Sequence, residues 1–304
     1  MVKSGKTGGI EPVLFSTANS VVMLLLVIIT LYPFMNTIAV SFNDGMDSIR
    51  GGIYLWPRVW TLQNYKAIFI SGTVYHAFLV SVARTLLSTA LNIFLTTMLA
   101  YALSRKEYIY RKPITLIFVL TMYFHAGLIP GYFLIKGLGL LNSFWVYILP
   151  SMISAFNLIV IRTYMGTLPD SLVESAKMDG AGDFRIFLQI IFPLCKPVLA
   201  TIALFVAVGS WNTWFDTFLY ASSQPQLSTL QYELMKLLAS TLNSNSDPSL
   251  INGAGMTKDT ASGMVTPISI RAAITIVAAV PILFVYPFLQ KYFVVGLNVG
   301  SVKE

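Results

Sequence analysis

Apolar residues in this 304-residue chain fall into long blocks, and the polar residues collect at the block ends. A helix needs roughly 20 mostly apolar residues to cross a bilayer. Six stretches meet that pattern, at about 15–41, 74–103, 113–132, 144–164, 198–220 and 268–289. Pro33 interrupts the first, which a membrane helix tolerates when neighbours satisfy the freed carbonyl. Between the first two blocks, residues 42–73 mix Asp44, Asp47, Arg50, Gly51, Gly52, Pro57 and Arg58 with Trp56 and Trp60, and this reads as an external loop with interfacial aromatics. Residues 221–266 are rich in Ser and Asn and read as a second external loop. The expected class is all-α, a polytopic membrane protein whose 304 residues form a single transmembrane domain.

Composition agrees with this pattern. The chain is 56% hydrophobic and 11% charged, with a mean hydropathy of +0.72, outside the range of ordinary soluble domains. Lys3 and Lys6 precede an apolar run over 13–40 that is too long for a signal-peptide core and lacks a small-residue cleavage pattern, so a retained first helix is expected. The net charge of +7 would point to nucleic acid in a soluble chain. Here the basic residues flank apolar blocks, as the positive-inside rule requires, and no nucleic-acid partner is expected.

With the N-terminus inside, the inner segments carry twelve Lys and Arg and the outer segments six: Arg50, Arg58, Lys66, Lys136, Lys236 and Lys258. Both termini are therefore expected on the cytoplasmic side. Arg84 and Arg271 lie within apolar blocks near their outer ends, where snorkelling to the interface is the simplest reading and a role in the transport path is the alternative. The single Cys195 excludes an internal disulfide, and two histidines, His76 and His125, offer no metal-ligand cluster.

Residues 166–197 break the pattern. Asp170, Glu174, Asp179 and Asp183 alternate with Lys177, Arg185 and Lys196 through a helix-forming stretch that no bilayer interior would accept. This is a cytoplasmic loop with structure of its own. Leu172, Val173, Ala176 and Ala181 supply a small apolar face at helical spacing, and Gly180 allows a turn between two short helices. By itself such a segment fits either a docking element or a charged connector lying on the membrane surface.

The loop carries Glu174-Ser175-Ala176, then Gly180, Ile190 and Phe192-Pro193. It resembles the Glu-Ala-Ala signature of binding-protein-dependent ABC importer permeases at each required spacing, with Ser175 for the second Ala and Phe192 for Leu. Asp179 and Ala181 flank the glycine as in the sugar-uptake branch. Gly127, Leu128, Ile129 and Pro130, the Trp211-Asn212 pair, and the end with Gln290, Lys291, Tyr292, Phe293 and Gly296 extend the likeness from the first block to the tail. The chain is thus similar to the maltose-type second subunit and to Lpl-type oligosaccharide permeases.

The resemblance implies the type I ABC importer permease fold and a site in the bacterial cytoplasmic membrane. It implies that Glu174, Ser175, Ala176, Asp179, Gly180 and Ala181 couple this chain to an ATPase, with the tail 290–304 as a weaker contact. The implied partners are a second permease subunit in a pseudo-symmetric heterodimer, an ATP-binding subunit dimer, an extracellular or periplasmic solute-binding protein, an oligosaccharide cargo and membrane lipid. No GxxxxGK[ST] phosphate loop occurs in the sequence, so ATP and Mg are expected on the partner ATPase and this chain is not expected to be an enzyme.

For the cargo route the candidates are Asn212, Trp214 and Asp216, which bring amide, aromatic and carboxylate groups into the fifth block. The alternative is that the tryptophans, Trp211 included, pack between helices or form an interfacial belt. Tyr123, Phe124, His125 and Asn157 are weaker candidates. An ion-driven carrier does not account for the charged central loop. A membrane-embedded enzyme finds no HExxH, no paired intramembrane aspartates and no Ser/His pair.

Overall fold

The computed structural model describes residues 10–70, 72–124, 126–244 and 265–298, and among these it is helical, with an isolated antiparallel bridge between Asn43 and Trp60. The helices are α1 Ile10–Ser41, α2 Gly45–Ile49, α3 Gln63–Ile70, α4 Thr73–Ser104, α5 Arg111–Tyr123, α6 Leu128–Gly137, α7 Ala155–Met165, α8 Ser171–Met178, α9 Asp183–Ile186, α10 Phe192–Leu194, α11 Lys196–Asn212, α12 Phe215–Tyr220, α13 Leu230–Ser244 and α14 Pro267–Asn298. They form two compact units. Of the described residues, 10–70, 240–244 and 265–277 make the first, and 72–239 with 278–298 make the second.

In the first unit α1 is an apolar helix with none of its most hydrophobic window buried. The segment after it is more ordered than the expected loop over 42–73. Asn43, fully buried, organises it. Its Oδ1 accepts from the Arg58 and Val59 amides at 2.8 and 2.9 Å, and its Nδ2 donates to Asp47 Oδ2 and Ser48 Oγ at 3.0 Å. Asn64 donates to the carbonyls of Ser41 and Asn43 at 2.9 and 2.8 Å. Two buried amides thus take up backbone groups that a tight turn leaves unpaired. The hydrogen bond from Asn43, with the Arg58 guanidinium beside it, holds the Asp47 carboxyl below the usual carboxylate range.

In the second unit α4 is the spine, with α7 and α11 packed along it. Its buried positions recur at helical spacing, but the middle of the stripe is polar: Ser81, Arg84, Ser88, Asn92 and Thr96. A core of Ala100, Tyr101, Leu103, Leu158, Ile161, Met165, Phe187, Ile191, Leu199 and Ile202 closes around the Ser104 end of α4. A smaller cluster of Ile135, Val146, Tyr147, Ile148 and Ala221 lies apart from it.

Among the described residues Leu14–Ser41, Thr73–Ser104 and Pro267–Val285 are long and apolar enough to cross a membrane alone, and two bent pairs reach that length only together, giving up to five. The stretch at 113–132 is not one helix. α5 ends at Tyr123, Phe124 is extended, and Gly127 at φ +87° starts α6, where Pro130 sits in a first turn that needs no amide from it. The stretch at 144–164 opens with 3-10 turns over Phe144–Tyr147 and Leu149–Ser151 and then bends by 46° into α7. The stretch at 198–220 divides into α11 and α12. The 17 residues of α11 rise only about 25 Å, short of a hydrocarbon core of about 30 Å.

Two other boundaries move. α14 continues past residue 289 to Asn298, into the stretch read as tail. The segment 221–266 contains α13, and its residues 245–264, like His125, Lys3, Lys6 and 299–304, lie outside the described residues.

Candidate functional site

The charged segment folds as a helix pair. α8 ends in a Schellman turn in which the Ala181 amide donates to the Ala176 carbonyl at 2.9 Å and the Gly180 amide to the Lys177 carbonyl at 3.0 Å. Gly180 has φ +77°, the left-handed geometry that lets the chain reverse into α9. Val173 and Ala176 are buried against the core at the Ser104 end of α4, and Ala181 is half-buried beside them. Leu172, expected on that apolar face, is 38% exposed, because it stands one position round the helix from Val173. The six coupling candidates therefore divide: Ala176 and Ala181 face the core, while Glu174, Ser175, Asp179 and Gly180 are exposed.

Sequence reasoning gave no role to two side chains beside them. Met178 is 88% exposed and Phe184 61%. They leave two large apolar groups exposed beside acids on a helix pair otherwise anchored in the core, an exposed apolar patch of the kind that marks interaction surfaces. An apolar residue out of register with Val173 and Ala176 was the available signal.

From α9 onward the buried positions Phe187, Ile191, Cys195, Leu199 and Ile202 run at intervals of three or four residues from the helix pair into α11. The run includes one π turn over Phe187–Ile191 and an 80° bend at Cys195. The Phe187 ring meets Phe94, Tyr101, Phe184 and Phe192 at centroid distances of 5.6–6.2 Å. The segment that follows the helix pair is thus packed directly on α4.

Salt bridges on the surface join α8 to the turn after α4, Lys106 Nζ to Asp170 Oδ2 at 2.7 Å and Lys177 Nζ to Glu107 Oε1 at 3.2 Å. Their mutual hydrogen bond lowers the Asp170 carboxyl and raises the Lys106 ammonium, and the Glu107 bond raises Lys177. Glu107 is lowered first by its own backbone amide and then by Lys177. All four are solvent-exposed, so salt screens these pairs and the apolar face carries the docking of α8.

The second candidate region is the break between α11 and α12. Asn212 is exposed and its Oδ1 accepts from Gln231 Nε2 at 3.3 Å. Trp214 is half-buried among Phe215 and Phe218, at 5.6 and 6.2 Å. Asp216 forms an ion pair with Arg84, Oδ2 to Nη2 at 2.6 Å. Arg84 is thus not a snorkelling residue: its side chain is 4% exposed and turned inward, because a carboxylate 132 positions along the chain supplies the counter-charge. Trp211 is buried and donates to the Ala278 carbonyl at 2.9 Å, so this tryptophan packs between helices. Of the weaker candidates, Tyr123 and Phe124 are exposed and Asn157 is buried against Asn92.

The chain is 38% identical to the polygalacturonan/rhamnogalacturonan transport system permease protein YtcP of Bacillus subtilis over 282 residues, covering 92% of this chain and 95% of that one. It is 37% identical to the protein LplC of the same organism, covering 90% of each. Among solved structures, a bacterial ABC transporter involved in the import of the acidic polysaccharide alginate contains a chain that superposes with a TM-score of 0.84 at 26% identity, covering 95% of this chain and 100% of that one. The profile of the family described as "binding-protein-dependent transport system inner membrane component" matches residues 113–298, which include the helix pair and the break. The chain belongs to that family of inner-membrane transport components.

Proposed function

We propose that this chain is one of two permease subunits of an ATP-driven importer that carries an oligosaccharide across the bacterial cytoplasmic membrane. The observation that carries the reading is the α8–α9 pair, where exposed Glu174, Met178 and Asp179 stand on a helix whose other face is locked into the core of the long helices. In this reading the pair sits in a cleft of an ATPase subunit, which binds ATP and Mg and performs the hydrolysis, and an external solute-binding protein delivers the sugar. The carbohydrate cargo is supported by the relatives' named transport systems and by the amide of Asn212 and the ring of Trp214 at the break. The test is uptake by the complete complex in proteoliposomes. Import should require ATP and be stimulated by the sugar-loaded binding protein; import that follows a proton or sodium gradient without ATP would refute the proposal.

Six passes with both termini in the cytoplasm complete the proposal, with α5 and α6 forming the third pass as two pieces. It is supported by the twelve-to-six distribution of basic residues. In a Cys195→Ala background, cysteines at the exposed positions Arg50 and Ser223 should react with an impermeant thiol reagent from outside intact cells, and one at Ser175 should not. Labelling of Ser175→Cys from outside would reverse the topology.

A further inference from the structure

Arg84 reaches the point where α11 stops. Its Nη1 donates to the Thr213 carbonyl at 3.1 Å and to Asp216 Oδ1 at 3.2 Å, and its Nη2 donates to Asp216 Oδ2 at 2.6 Å. The guanidinium carbon lies 4.8 Å from the centroid of the Tyr147 ring. In an unbroken helix the Thr213 carbonyl would accept from the Thr217 amide. Here that amide donates instead to Asp216 Oδ1 at 2.8 Å, and α12 resumes with Phe218 N bonded to the Trp214 carbonyl at 3.1 Å. Two of the backbone groups released by the break, the Thr213 carbonyl and the Thr217 amide, are therefore taken up by the two members of one ion pair. At membrane depth a freed backbone group must find such a partner in the protein or in water.

The same helix repeats the arrangement at the bend before α7, where Asn92 Nδ2 donates to the Ser151 carbonyl at 2.7 Å and Asn92 Oδ1 accepts from Asn157 Nδ2 at 3.3 Å. The polar stripe of α4 serves as the frame on which both interrupted stretches are hung.

We propose that Arg84 is a positioning residue for cargo passage: with Asp216 it holds α11 and α12 as two half-helices and so keeps Asn212, Thr213 and Trp214 presented at the break. This rests on the reading of the break as part of a sugar route. It assigns Asp216 to Arg84, not to the cargo. A lysine cannot reproduce the arrangement, since a point charge lacks the planar fork that spans a carboxylate and a carbonyl together.

The test uses the complete complex in proteoliposomes and the variants Arg84→Lys and Arg84→Met with Asp216→Met. The double variant replaces the pair by apolar side chains, an exchange that is often neutral or favourable for stability. It should assemble with its partner subunits at wild-type yield, yet sugar imported per ATP hydrolysed should fall at least about tenfold, with Arg84→Lys in between. A second measurement needs no cargo. In the Cys195→Ala background, an Asn212→Cys probe should change its rate of thiol labelling about tenfold when the pair is made apolar, because the two half-helices straighten. Wild-type import per ATP or an unchanged labelling rate in the double variant would overturn the proposal, and so would failure of that variant to assemble, which would reduce the pair to a stability element. Absence of sugar import by the wild-type complex would instead strike the functional reading, while the labelling result still decides whether the pair holds the break.

Discussion

Glu174→Lys is expected to abolish coupling while leaving insertion of the chain intact. Glu174 is exposed in the first turn of α8, where a carboxylate is favoured by the helix dipole, and among the described residues its side chain makes no hydrogen bond or ion pair. Its replacement should therefore cost little in folding. At an interface with a basic partner residue the reversal sets two like charges against each other, which costs several kcal/mol, about 2–5 when the contact is desolvated. Coupling free energies between sites are typically about 1–3 kcal/mol, or about 5- to 150-fold, so a loss of this size removes the coupling entirely. The measurements are sugar uptake, co-purification of the ATPase and hydrolysis stimulated by the loaded binding protein. Uptake should fall to background, with association weakened or stimulation lost. Wild-type values in all three would show that this helix pair is not the coupling element. Met178→Ser should weaken association by a smaller factor, since it removes apolar burial without introducing repulsion.

The helix pair was legible in the sequence because everything that shapes it is local. Its charges, its apolar spacing and the turn at Gly180 all fall within a dozen residues, and period and composition report such features directly. The first two long helices were legible for the same reason, as long apolar runs. The breaks were not. Thr213 and Trp214 are neither helix breakers nor strongly polar, and the fifth block runs on past them to Tyr220; what divides α11 from α12 is a guanidinium on α4 that reads in isolation as a stray charge near the end of an apolar block. The order in 42–62 was hidden too, because Asn43 is an unremarkable polar residue until its buried amide is seen to meet five partners. Hydropathy ranks a residue by the solvent it prefers, whereas both features depend on which distant group supplies the missing hydrogen bond. Met178 shows a third limit: its side chain looks like core by type, and only its register relative to Val173 and Ala176 places it outside.

Substitutions at Gly180 should rank by backbone conformation and not by size. A Cβ built on this glycine meets no atom within 4 Å, so nothing obstructs a larger side chain in space. The constraint is the φ of +77°, a region that costs an L-residue roughly 1–2 kcal/mol and a β-branched residue more. Asparagine tolerates the left-handed region and should support nearly wild-type uptake. Alanine should be intermediate. Valine should do most harm, because relieving its φ breaks the bond from the Ala181 amide to the Ala176 carbonyl and swings α9 out of line with α8. Phe187 follows directly after α9 and packs on Phe94 and Tyr101 of α4, so the change at one glycine reaches both the exposed tip of the helix pair and the helix that frames the breaks. The order Asn above Ala above Val, read as uptake together with ATPase co-purification and with comparable amounts of chain in the membrane, is the expected result, and Val should lie at least about tenfold below Gly. If uptake instead followed side-chain volume, with Asn no better than Val, the bulk of the residue against a partner surface and not the left-handed turn would be what this position controls.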